Sequence, residues 1–462
     1  MREGPCERER IAQSIGPVRF WGVQRPAPVP SQPLTSIGIV GGGQLALMLA
    51  EAAAALDVEV HLQTPNADDP AVRLASSVIA APLDDLEGTR RLAEACGAIS
   101  FENEWVSIER LTPLAENGVT FVPSLESLAP LVSKRGQRDL LDRLHLPSPR
   151  WCGLEQALQP PPLTGARTLS AGMTLPPSPL WNASGPYRPP ESTGGPALPA
   201  GFQFPLMAKA SRGGYDGKGT VLLRDQAALE ALIEHVLPSD WILEELVAFE
   251  QELALVACRD RHGTVACWPL VQTHQHEQVC DWVLQPAPVN HAVQALARNV
   301  AASILTSLDY VGVLAVEFFY GPSGLQVNEI APRTHNSGHL TIEACRCSQF
   351  DQQVRLVAGL PIGGTDAVVP AALMVNLLGL DESHSEADLE HRLEALRALP
   401  GATLHWYGKA QSLPGRKLGH LTLVLEGSTN AELAIERERL LAEVRRHWPL
   451  PECTPRAKNP VH

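Results

Sequence analysis

The sequence lacks three features that mark whole classes of protein. It has no excess of basic charge: 37 Lys and Arg stand against 51 Asp and Glu, a net charge of −14, whereas proteins that grip nucleic acid depend on a basic surface. It has no run of about 18 apolar residues that could cross a membrane, and its first residues lack the apolar core of a secretory signal. Its nine cysteines include no Cys-x-x-Cys pair, so we expect reduced thiols, a cytoplasmic protein and no zinc site.

What the sequence does contain is unevenly distributed. Its 462 residues suffice for about three domains of roughly 150 residues each, and a content of 44% apolar residues allows a buried core. Proline is concentrated in two stretches, with 6 of the 40 prolines in residues 1–35 and 12 in residues 155–205. We predict a disordered extension over 1–35 and a surface insertion over about 155–200. The alternative is that each stretch is an ordered loop packed on a neighbour.

The remaining sequence predicts three folded units. Over residues 36–130, predicted strands at 37–40, 58–62, 78–80, 98–101 and 119–122 alternate with helical stretches such as 45–56, which is typical of a doubly wound parallel sheet. Residues 131–370 contain hairpin-like strand pairs and a helix at 291–308, which predicts an α+β domain. Residues 371–450 predict a small β-rich C-terminal domain, followed by a tail at 451–462. The predicted fold class is therefore α/β combined with α+β.

A first glycine turn, Gly41-Gly42-Gly43, links a predicted strand to a helix, as in dinucleotide-binding proteins. Those proteins place an acidic residue at the end of the second strand, where this chain has Thr64 and no acid. NAD binding, and with it an oxidoreductase, is therefore disfavoured. Two alternatives remain: the helix N-terminus holds a phosphate of another ligand, or the glycines only allow a tight turn.

A second glycine-rich turn, residues 211–220, connects two predicted strands. It lacks the lysine–serine or lysine–threonine pair of a Walker loop. The backbone N–H groups of such a hairpin can cover nucleotide phosphates as a lid, and Lys209 on the preceding strand could reach phosphate oxygens. The alternative is an ordinary hairpin without a ligand.

Two glutamates in a predicted hairpin form a candidate metal site. Glu317 and Glu329 lie on apolar strands at similar distances from the turn at 321–324, so we expect them to face each other. Like charges in that position repel unless a cation lies between them, and carboxylate oxygens beside the neutral oxygen of Asn328 suit Mg²⁺. The alternative is a pair of solvent-facing glutamates.

Two further polar stretches predict anion binding. The loop after the hairpin carries Arg333 and His335, and the C-terminal unit carries Lys409 and Arg416. In an acidic chain, such concentrations of cationic and titratable groups suit phosphate, and the second stretch would form a second anion site, for a phosphate that is not ATP's. The alternatives are a capped helix start with surface histidines for the first stretch and a solvated basic face for the second.

Together these motifs resemble the ATP-grasp superfamily and, within it, the 5-(carboxyamino)imidazole ribonucleotide synthases of purine biosynthesis. The resemblance covers about residues 36–445 apart from the insertion, and its most specific segments are 213–219, 328–339 and 407–420. It implies a central ATP-grasp domain over 131–370, with ATP between two subdomains. It also implies Mg²⁺, with Mn²⁺ as a substitute, bicarbonate as co-substrate, no biotin, a homodimer, and a product passed to a separate mutase.

The resemblance further implies which residues form the site. Those implied for ATP are Lys134, Arg138, Lys209, Gly214, Tyr215, Asp216, Gly217, Lys218, Gly219, Thr220, Glu244, Glu245, Leu246, Val247, Glu252, Gln275, Asn328 and Glu329. Those implied for aminoimidazole ribonucleotide are Glu102, Glu104, Tyr215, Lys218, Arg333, His335, Asn336, Lys409 and Arg416. Glu317 and Glu329 would hold the metal, and the implied catalytic residues are Arg333, His335 and Asp216.

Four positions depart from the family pattern. Lys134 and Arg138 stand where the family usually has arginine and then lysine, Lys218 stands where arginine is common, and Gln275 stands where histidine is frequent. Arginine and lysine differ in geometry although both keep the charge, so these departures put the details of nucleotide and substrate contacts in doubt.

The implied reaction is an ATP-dependent carboxylation, in which bicarbonate attacks the γ-phosphorus to give carboxyphosphate and ADP. Carboxyphosphate then releases CO₂ or reacts directly beside the aminoimidazole, and the substrate amine attacks the carbon. One alternative is another ATP-grasp ligase, such as the formate-dependent glycinamide ribonucleotide transformylase or a biotin carboxylase; the segment 409–420 argues against both. A second alternative is an inactive nucleotide-binding scaffold, against which the presence of Lys209, Glu317 and Glu329 argues. Small-molecule partners are expected, with neither nucleic acid nor membrane among them.

Overall fold

The computed structural model describes residues 32–158, 197–213, 219–380, 385–409, 412–427 and 429–451. The predicted extension at 1–35 lies almost wholly outside the described residues, as do most of the proline-rich insertion, the tip of the second glycine-rich turn and the tail. In the described part of the chain, no helix combines the length and the apolarity that a membrane crossing requires.

The N-terminal unit contains a four-stranded parallel sheet with the strand order β3-β2-β1-β4. Its elements are β1 (Ser36–Val40), α1 (Gln44–Ala55), β2 (Glu59–Thr64), β3 (Ser77–Ala80), α2 (Leu86–Ala95), β4 (Ile99–Phe101), α3 (Ile108–Glu116) and α4 (Leu125–Leu128). This confirms the predicted doubly wound sheet. The predicted strand at 119–122 is wrong, because only Phe121 forms an isolated bridge with Ile99. Pro123 has no N–H to continue a ladder, and Ser124 already caps α4.

A small antiparallel sheet follows, with the strand order β5-β8-β6-β7. Its elements are α5 (Lys134–Arg143), β5 (Trp151–Gly153), β6 (Leu206–Ala210), β7 (Thr220–Leu223), α6 (Gln226–His235) and β8 (Trp241–Glu245). Lys209 lies opposite Thr220 at the ends of β6 and β7, so both stand at the base of the second glycine-rich turn. We refer to this sheet below as the small sheet.

The largest sheet has nine strands and runs from the middle of the chain into its C-terminal part. Its strands are β9 (Gln251–Arg259), β10 (Val265–Cys267), β11 (Val271–His276), β12 (Val279–Gln285), β13 (Gly312–Gly321), β14 (Gly324–Ala331), β15 (Ala371–Leu378), β16 (Ala402–Trp406) and β17 (Lys417–Leu425). The order is β14-β13-β9-β11-β12-β15-β17-β16, with β10 paired to β9. Because β15 pairs with β12, this large sheet is continuous across residue 371, where composition suggests a new unit.

Five further helices cover the large sheet and join it to the N-terminal unit: α7 (His291–Ser307), α8 (Thr341–Ala344), α9 (Gln349–Ala358), α10 (Glu386–Arg397) and α11 (Asn430–His447). The apolar face of α9, with Phe350 and Val354, shares one buried cluster with α1 of the parallel sheet. This packing holds the parallel sheet next to the loop that follows β14. The C-terminal ends of β1 and β4 therefore face the same space as the large sheet.

Candidate active site

A cleft of about 1360 Å³ lies where the parallel sheet, the small sheet and the large sheet meet. It brings together most of the residues that the sequence assigned to the site. Those that line it are Glu102, Glu104, Lys134, Lys209, Thr220, Glu244, Glu245, Leu246, Val247, Glu252, Gln275, Glu317, Asn328, Glu329, Arg333, His335, Asn336, Lys409 and Arg416. Residues 214–218, which include Tyr215, Asp216 and Lys218, lie outside the described part of the chain. Gly219 does not line the cleft.

Arg138 takes a different place from the one expected for an ATP contact. Its guanidinium is buried behind the cleft, where Nε donates to Glu244 at 2.7 Å and the two terminal nitrogens donate to the carbonyl oxygens of Val327 and Asn328. Since these three acceptors occupy the guanidinium, Arg138 joins β8 to β14 and holds Glu244 in place. The expected direct contact of Arg138 with ATP stays a prediction.

Glu244 lies at the centre of a compact charge cluster in the small sheet. Its second oxygen pairs with the Lys209 ammonium at 2.7 Å, and Lys209 also donates to Asn328 at 3.0 Å. Burial alone would raise the pKa of Glu244, but Arg138 and Lys209 outweigh it and lower that pKa to about 2. Burial lowers the pKa of Lys209 below its ordinary value, while Glu244 opposes the shift. One carboxylate thus fixes two cations, one of which lines the cleft.

The carboxylate hairpin forms as predicted, and Glu317 lies directly opposite Glu329. The register of the turn alone would put Asn328 opposite Glu317. A bulge between Glu317 and Phe318 shifts the pairing by one residue and brings Glu329 into place. Both carboxylates reach the cleft beside Asn328, whose side-chain amide lies 3.4 Å from Glu317.

Each carboxylate of this hairpin has a cationic or titratable partner. Glu329 pairs with Lys134 at 2.7 Å, and Glu317 pairs with the His335 Nε2 at 3.2 Å. Burial would raise the pKa of Glu317, but the hydrogen bond and charge of His335 lower it to about 2. The two facing carboxylates, with Asn328 beside them, fit a hard divalent cation. Among the described residues no cluster of three or more ligands could hold a metal alone, so the remaining ligands would come from bound phosphate or water.

The two glutamates after β4 have separate partners. Glu102 accepts hydrogen bonds from the backbone N–H groups of Gly43 and Leu45 at 2.8 and 3.2 Å, at the N-terminus of α1. Burial raises its pKa, although these donors oppose the shift. Glu104 pairs with Arg333 through two contacts of 2.5 and 3.2 Å. Burial would raise the pKa of Glu104, but Arg333 outweighs it and holds that pKa below its usual range.

The contacts of Glu102 also explain the first glycine turn. A Cβ atom at Gly43 would lie 2.5 Å from Glu102 Oε1, and one at Gly41, where φ is +121°, would lie 2.5 Å from Glu102 Oε2. The glycines therefore let a carboxylate approach the helix N-terminus, which uses the N–H groups that a phosphate would need. Of the two alternatives left by the sequence, the structure favours the tight turn.

Beyond the carboxylate hairpin, the cleft continues toward the C-terminal strands. Asn336 exchanges two amide hydrogen bonds with Asn376, at 3.0 and 2.7 Å. The Lys409 ammonium donates to the Lys417 carbonyl at 2.8 Å and lies 5.5 Å from the Tyr407 ring centroid. Lys409 and Arg416 line the same cleft as His335, so the loop after β14 and the C-terminal basic segment face one space.

Sequence reasoning missed several residues that line this cleft: Gln44, Trp105, Phe249, His274, His339, Tyr407 and Lys417. Lys417 lowers the pKa of Glu317 by its charge, and it could have been found because it adjoins Arg416 after a proline–glycine turn. Phe249 stacks on Phe319 at 4.6 Å, a contact between residues 70 positions apart that no local pattern indicates.

Comparisons with known proteins agree with this architecture. Three family models match in succession: a ribonucleotide synthetase preATP-grasp domain at residues 34–131, an ATP-grasp domain at 195–350, and a phosphoribosylaminoimidazole carboxylase C-terminal domain at 372–434. The fold and the cleft thus define an ATP-grasp enzyme.

Individual relatives narrow this class. The chain is 44% identical over 420 residues to N5-carboxyaminoimidazole ribonucleotide synthase of Synechococcus elongatus, covering 91% of this chain and 97% of that protein. It is 36% identical to the enzyme of the same name from Mycobacterium tuberculosis, covering 89% and 87%. The crystal structure of the Thermus thermophilus synthetase matches with a TM-score of 0.71 at 31% identity, covering 91% and 99%. The chain belongs to the N5-carboxyaminoimidazole ribonucleotide synthase family. N5-carboxyaminoimidazole ribonucleotide and 5-(carboxyamino)imidazole ribonucleotide are one compound, so the resemblance found in the motifs is confirmed.

A further solved structure bears on the ligands. The Aspergillus clavatus synthase was crystallised in complex with ADP and 5-aminoimidazole ribonucleotide, and it matches this chain with a TM-score of 0.71 at 25% identity, covering 89% of this chain and 99% of that one.

Proposed function

We propose that this chain carboxylates 5-aminoimidazole ribonucleotide in an ATP-dependent reaction of purine biosynthesis. The product is N5-carboxyaminoimidazole ribonucleotide, and bicarbonate supplies the carbon while ATP becomes ADP and phosphate. One observation carries the proposal: a single cleft holds the Lys209–Glu244 cluster, the carboxylate hairpin and the basic residues Lys409 and Arg416. A nucleotide and a second phosphorylated ligand can therefore lie next to each other.

At one end of the cleft, the small sheet and the large sheet would hold ATP between them. The Lys209 ammonium would contact phosphate oxygens, and Thr220 would border them. The strand end from Glu244 to Val247 would border the adenine, and Glu252 would accept the ribose hydroxyls. Each of these residues lines the cleft, which supports the assignment.

Glu317 and Glu329 would hold Mg²⁺ or Mn²⁺, with Asn328 beside them. When bound, such an ion neutralises charge on the phosphates and orients them. Glu317 already contacts His335, and Glu329 already pairs with Lys134. These two partners would then be available to the γ-phosphate or to bicarbonate.

The chemistry needs two bond exchanges. A bicarbonate oxygen attacks the γ-phosphorus and ADP leaves, giving carboxyphosphate; the exocyclic amine then attacks its carbon and phosphate leaves. Arg333 would stabilise the charge of the transferred phosphoryl group. Although burial opposes it, the contact with Glu104 raises the pKa of Arg333, so its charge persists. His335 and Asp216 would handle the amine proton, Asp216 lying outside the described residues.

The other end of the cleft would bind 5-aminoimidazole ribonucleotide. Lys409 and Arg416 would hold its phosphate as charge-assisted donors. His335 and Asn336 would lie near the aminoimidazole, and Glu104 would orient Arg333 toward it. Tyr215 and Lys218 complete the assignment from outside the described residues.

We also propose the wider setting. The domains follow the boundaries 36–130, 131–370 and 371–450, and the protein works as a cytoplasmic homodimer that passes its product to a separate mutase. The seven described cysteines all carry free thiols, which supports a reducing compartment. The dimer and the mutase rest on the family resemblance.

ADP release tests the function directly. Purified protein with Mg-ATP and bicarbonate should release ADP much faster when 5-aminoimidazole ribonucleotide is added, and removal of bicarbonate should suppress this stimulation. Product formation is checked by incorporation of labelled bicarbonate. If glycinamide ribonucleotide with formate stimulates ADP release instead, the substrate assignment is wrong and the formate-dependent alternative takes its place.

A further inference from the structure

Three polar residues form one transverse row across the C-terminal strands of the large sheet. Asn376 of β15 lies opposite His420 of β17, and His420 lies opposite His405 of β16. Directly opposed residues in antiparallel strands share one face of a sheet. Asn376 and His420 are fully buried, although every other residue of β15 is apolar. Burial of polar groups is costly unless they are hydrogen-bonded, so their contacts define what the row does.

Each member of this polar row contacts a different residue of the segment 336–343, which directly follows Arg333 and His335 in the loop after β14. The Asn376 amide exchanges two hydrogen bonds with Asn336 and donates a further one to the Cys280 carbonyl at 2.8 Å. The His420 ring lies 4.9 Å from the His339 ring, centroid to centroid. His405 pairs through Nε2 with Glu343 at 2.6 Å and stacks on His420.

The row also reaches the basic segment. The Tyr407 hydroxyl shares a hydrogen bond of 2.8 Å with His420 Nδ1, and the Lys409 ammonium lies over the Tyr407 ring. Lys417 is the first residue of β17, the strand that carries His420, and Arg416 directly precedes it. Asn376, His405 and His420 do not themselves line the cleft. The row thus contacts Asn336 directly and reaches Lys409 through the Tyr407 ring.

We infer that Asn376, His405 and His420 are positioning residues that hold the segment 336–343 at a fixed distance from the basic residues Lys409, Arg416 and Lys417. This inference rests on the proposed function. The ribonucleotide must reach its phosphate cations and the aminoimidazole contacts at once, so a small change in the spacing of the two groups weakens its binding. ATP binding depends on the small sheet and the carboxylate hairpin, which the row does not contact.

The test is a comparison of Asn376→Ala with Thr422→Val. Thr422 is buried on β17 two positions beyond His420, and its hydroxyl has no hydrogen-bond partner among the described residues. Both variants remove one buried polar group from the same face. Asn376→Ala removes the two neutral hydrogen bonds to Asn336, a residue assigned to the ribonucleotide. We therefore expect the KM for 5-aminoimidazole ribonucleotide to rise about ten-fold, while the KM for ATP changes less than about two-fold. Thr422→Val should leave both constants unchanged.

A double-mutant cycle shows whether Asn376 acts through Asn336. If it does, Asn376→Ala should have little further effect on the ribonucleotide KM in an Asn336→Ala background. His405→Gln, which keeps a donor for Glu343 but removes the ring stack, should show the same selective rise in KM, and it decides the matter if Asn376→Ala does not fold.

Two kinds of failure are distinguishable. If the wild-type protein shows no stimulation of ADP release by 5-aminoimidazole ribonucleotide, the proposed function is wrong. If the wild type is stimulated, three results would show that the positioning role is wrong and that the row is structural. The variants could raise both KM values equally, they could act additively with Asn336→Ala, or they could only lower the melting temperature, as Thr422→Val could.

Discussion

Each wall of the nucleotide end of the cleft carries a glutamate, one buried and one half-buried, and the two lie in opposite electrostatic environments. Glu244, on the small sheet, contacts Arg138 and Lys209 and has a pKa of about 2. Glu252, on the large sheet, has a pKa raised to about 7, first by burial and then by the negative charge of Glu317, with His274 partly opposing the shift.

The difference shows which wall is complete without ligands. On the small sheet, positive partners match the buried carboxylate, so the wall is preassembled. On the large sheet, three carboxylates face the cleft, namely Glu252, Glu317 and Glu329, and only the last two have salt-bridge partners among the described residues. The large-sheet wall therefore carries negative charge that bound cations would neutralise. Substitutions on the two walls should have effects of opposite kind.

The largest effect is expected from Glu317→Gln or Glu329→Gln. Each removes a charged oxygen ligand from the proposed metal site, and we expect kcat/KM to fall roughly 1000-fold, about 4 kcal/mol. The variants should keep the fold and melt at or below the wild-type temperature without Mg-ATP, because Glu317 loses its charge pairing with His335 or Glu329 loses its pairing with Lys134. Steady-state kinetics and thermal melts with and without Mg-ATP check both parts. A variant with near-normal turnover would remove that residue from the metal site.

Glu244→Gln tests the opposite wall. The substitution keeps the shape but leaves Arg138 and Lys209 without their shared carboxylate, so we expect the free energy of unfolding to fall by about 3 kcal/mol. Because the pKa of Glu244 is depressed to about 2, its contribution is present above pH 4.5 and is lost as pH falls toward 2. The difference between variant and wild type should therefore shrink in acid.

The matched control for this variant is Glu245→Gln. Glu245 is the next residue on β8, and its contact with Arg150 is a solvent-exposed pair at 3.6 Å. Such pairs are worth about 0–1 kcal/mol, so denaturant titration of the control should stay near the wild type. Equal losses in both variants would show that the strand end, and not the charge cluster, is sensitive.

Lys409→Ala and Arg416→Ala extend the comparison to the other end of the cleft. Each should raise the KM for 5-aminoimidazole ribonucleotide about 10–100-fold, because a charge-assisted hydrogen bond contributes roughly 1.5–3 kcal/mol, and leave the KM for ATP nearly unchanged. Arg397→Ala, at an exposed ion pair on α10, is the control. Equal weakening of both substrates would place these residues in support of the fold or of the ATP wall.

The features that the sequence predicted well depend on local pattern. Alternating apolar runs and glycine turns predicted the parallel sheet and the hairpins, and the density of polar residues after the carboxylate hairpin predicted where the cleft would be lined. The opposition of Glu317 and Glu329 is instructive, because counting from the turn predicts Asn328 as the partner. The bulge that corrects the register leaves no mark in the sequence.

The features that the sequence could not give depend on long-range contacts. Arg138 and Glu244 are 106 residues apart, and Glu104 and Arg333 are 229 apart, so no spacing rule indicates either ion pair. The continuity of the large sheet across residue 371 depends on the pairing of β12 with β15, which composition does not show. Local pattern thus located the charged residues but not their partners, and the partners decide which charges remain for ligands.

The smallest effect is expected from Glu252→Gln, and its sign distinguishes the two walls. The folded-state pKa of Glu252 is about 7, above the ordinary value of 4.5, so the folded protein favours the protonated form. Stability is therefore lost as pH rises from 4.5 to about 7 and stays level above that.

Glutamine imitates the protonated acid. The free energy of unfolding of Glu252→Gln should therefore exceed that of the wild type by about 1 kcal/mol at pH 8, a figure discounted for partial exposure, and nearly equal it at pH 4. Denaturant titrations at both pH values, with Glu250→Gln at the exposed position just before the same strand as control, measure this directly. In the same variant the KM for ATP should rise, because a neutral amide accepts the ribose hydroxyls less strongly than a carboxylate. A variant that is less stable than the wild type at pH 8 would mean that Glu252, like Glu244, has its charge compensated, and the contrast between the walls would not hold.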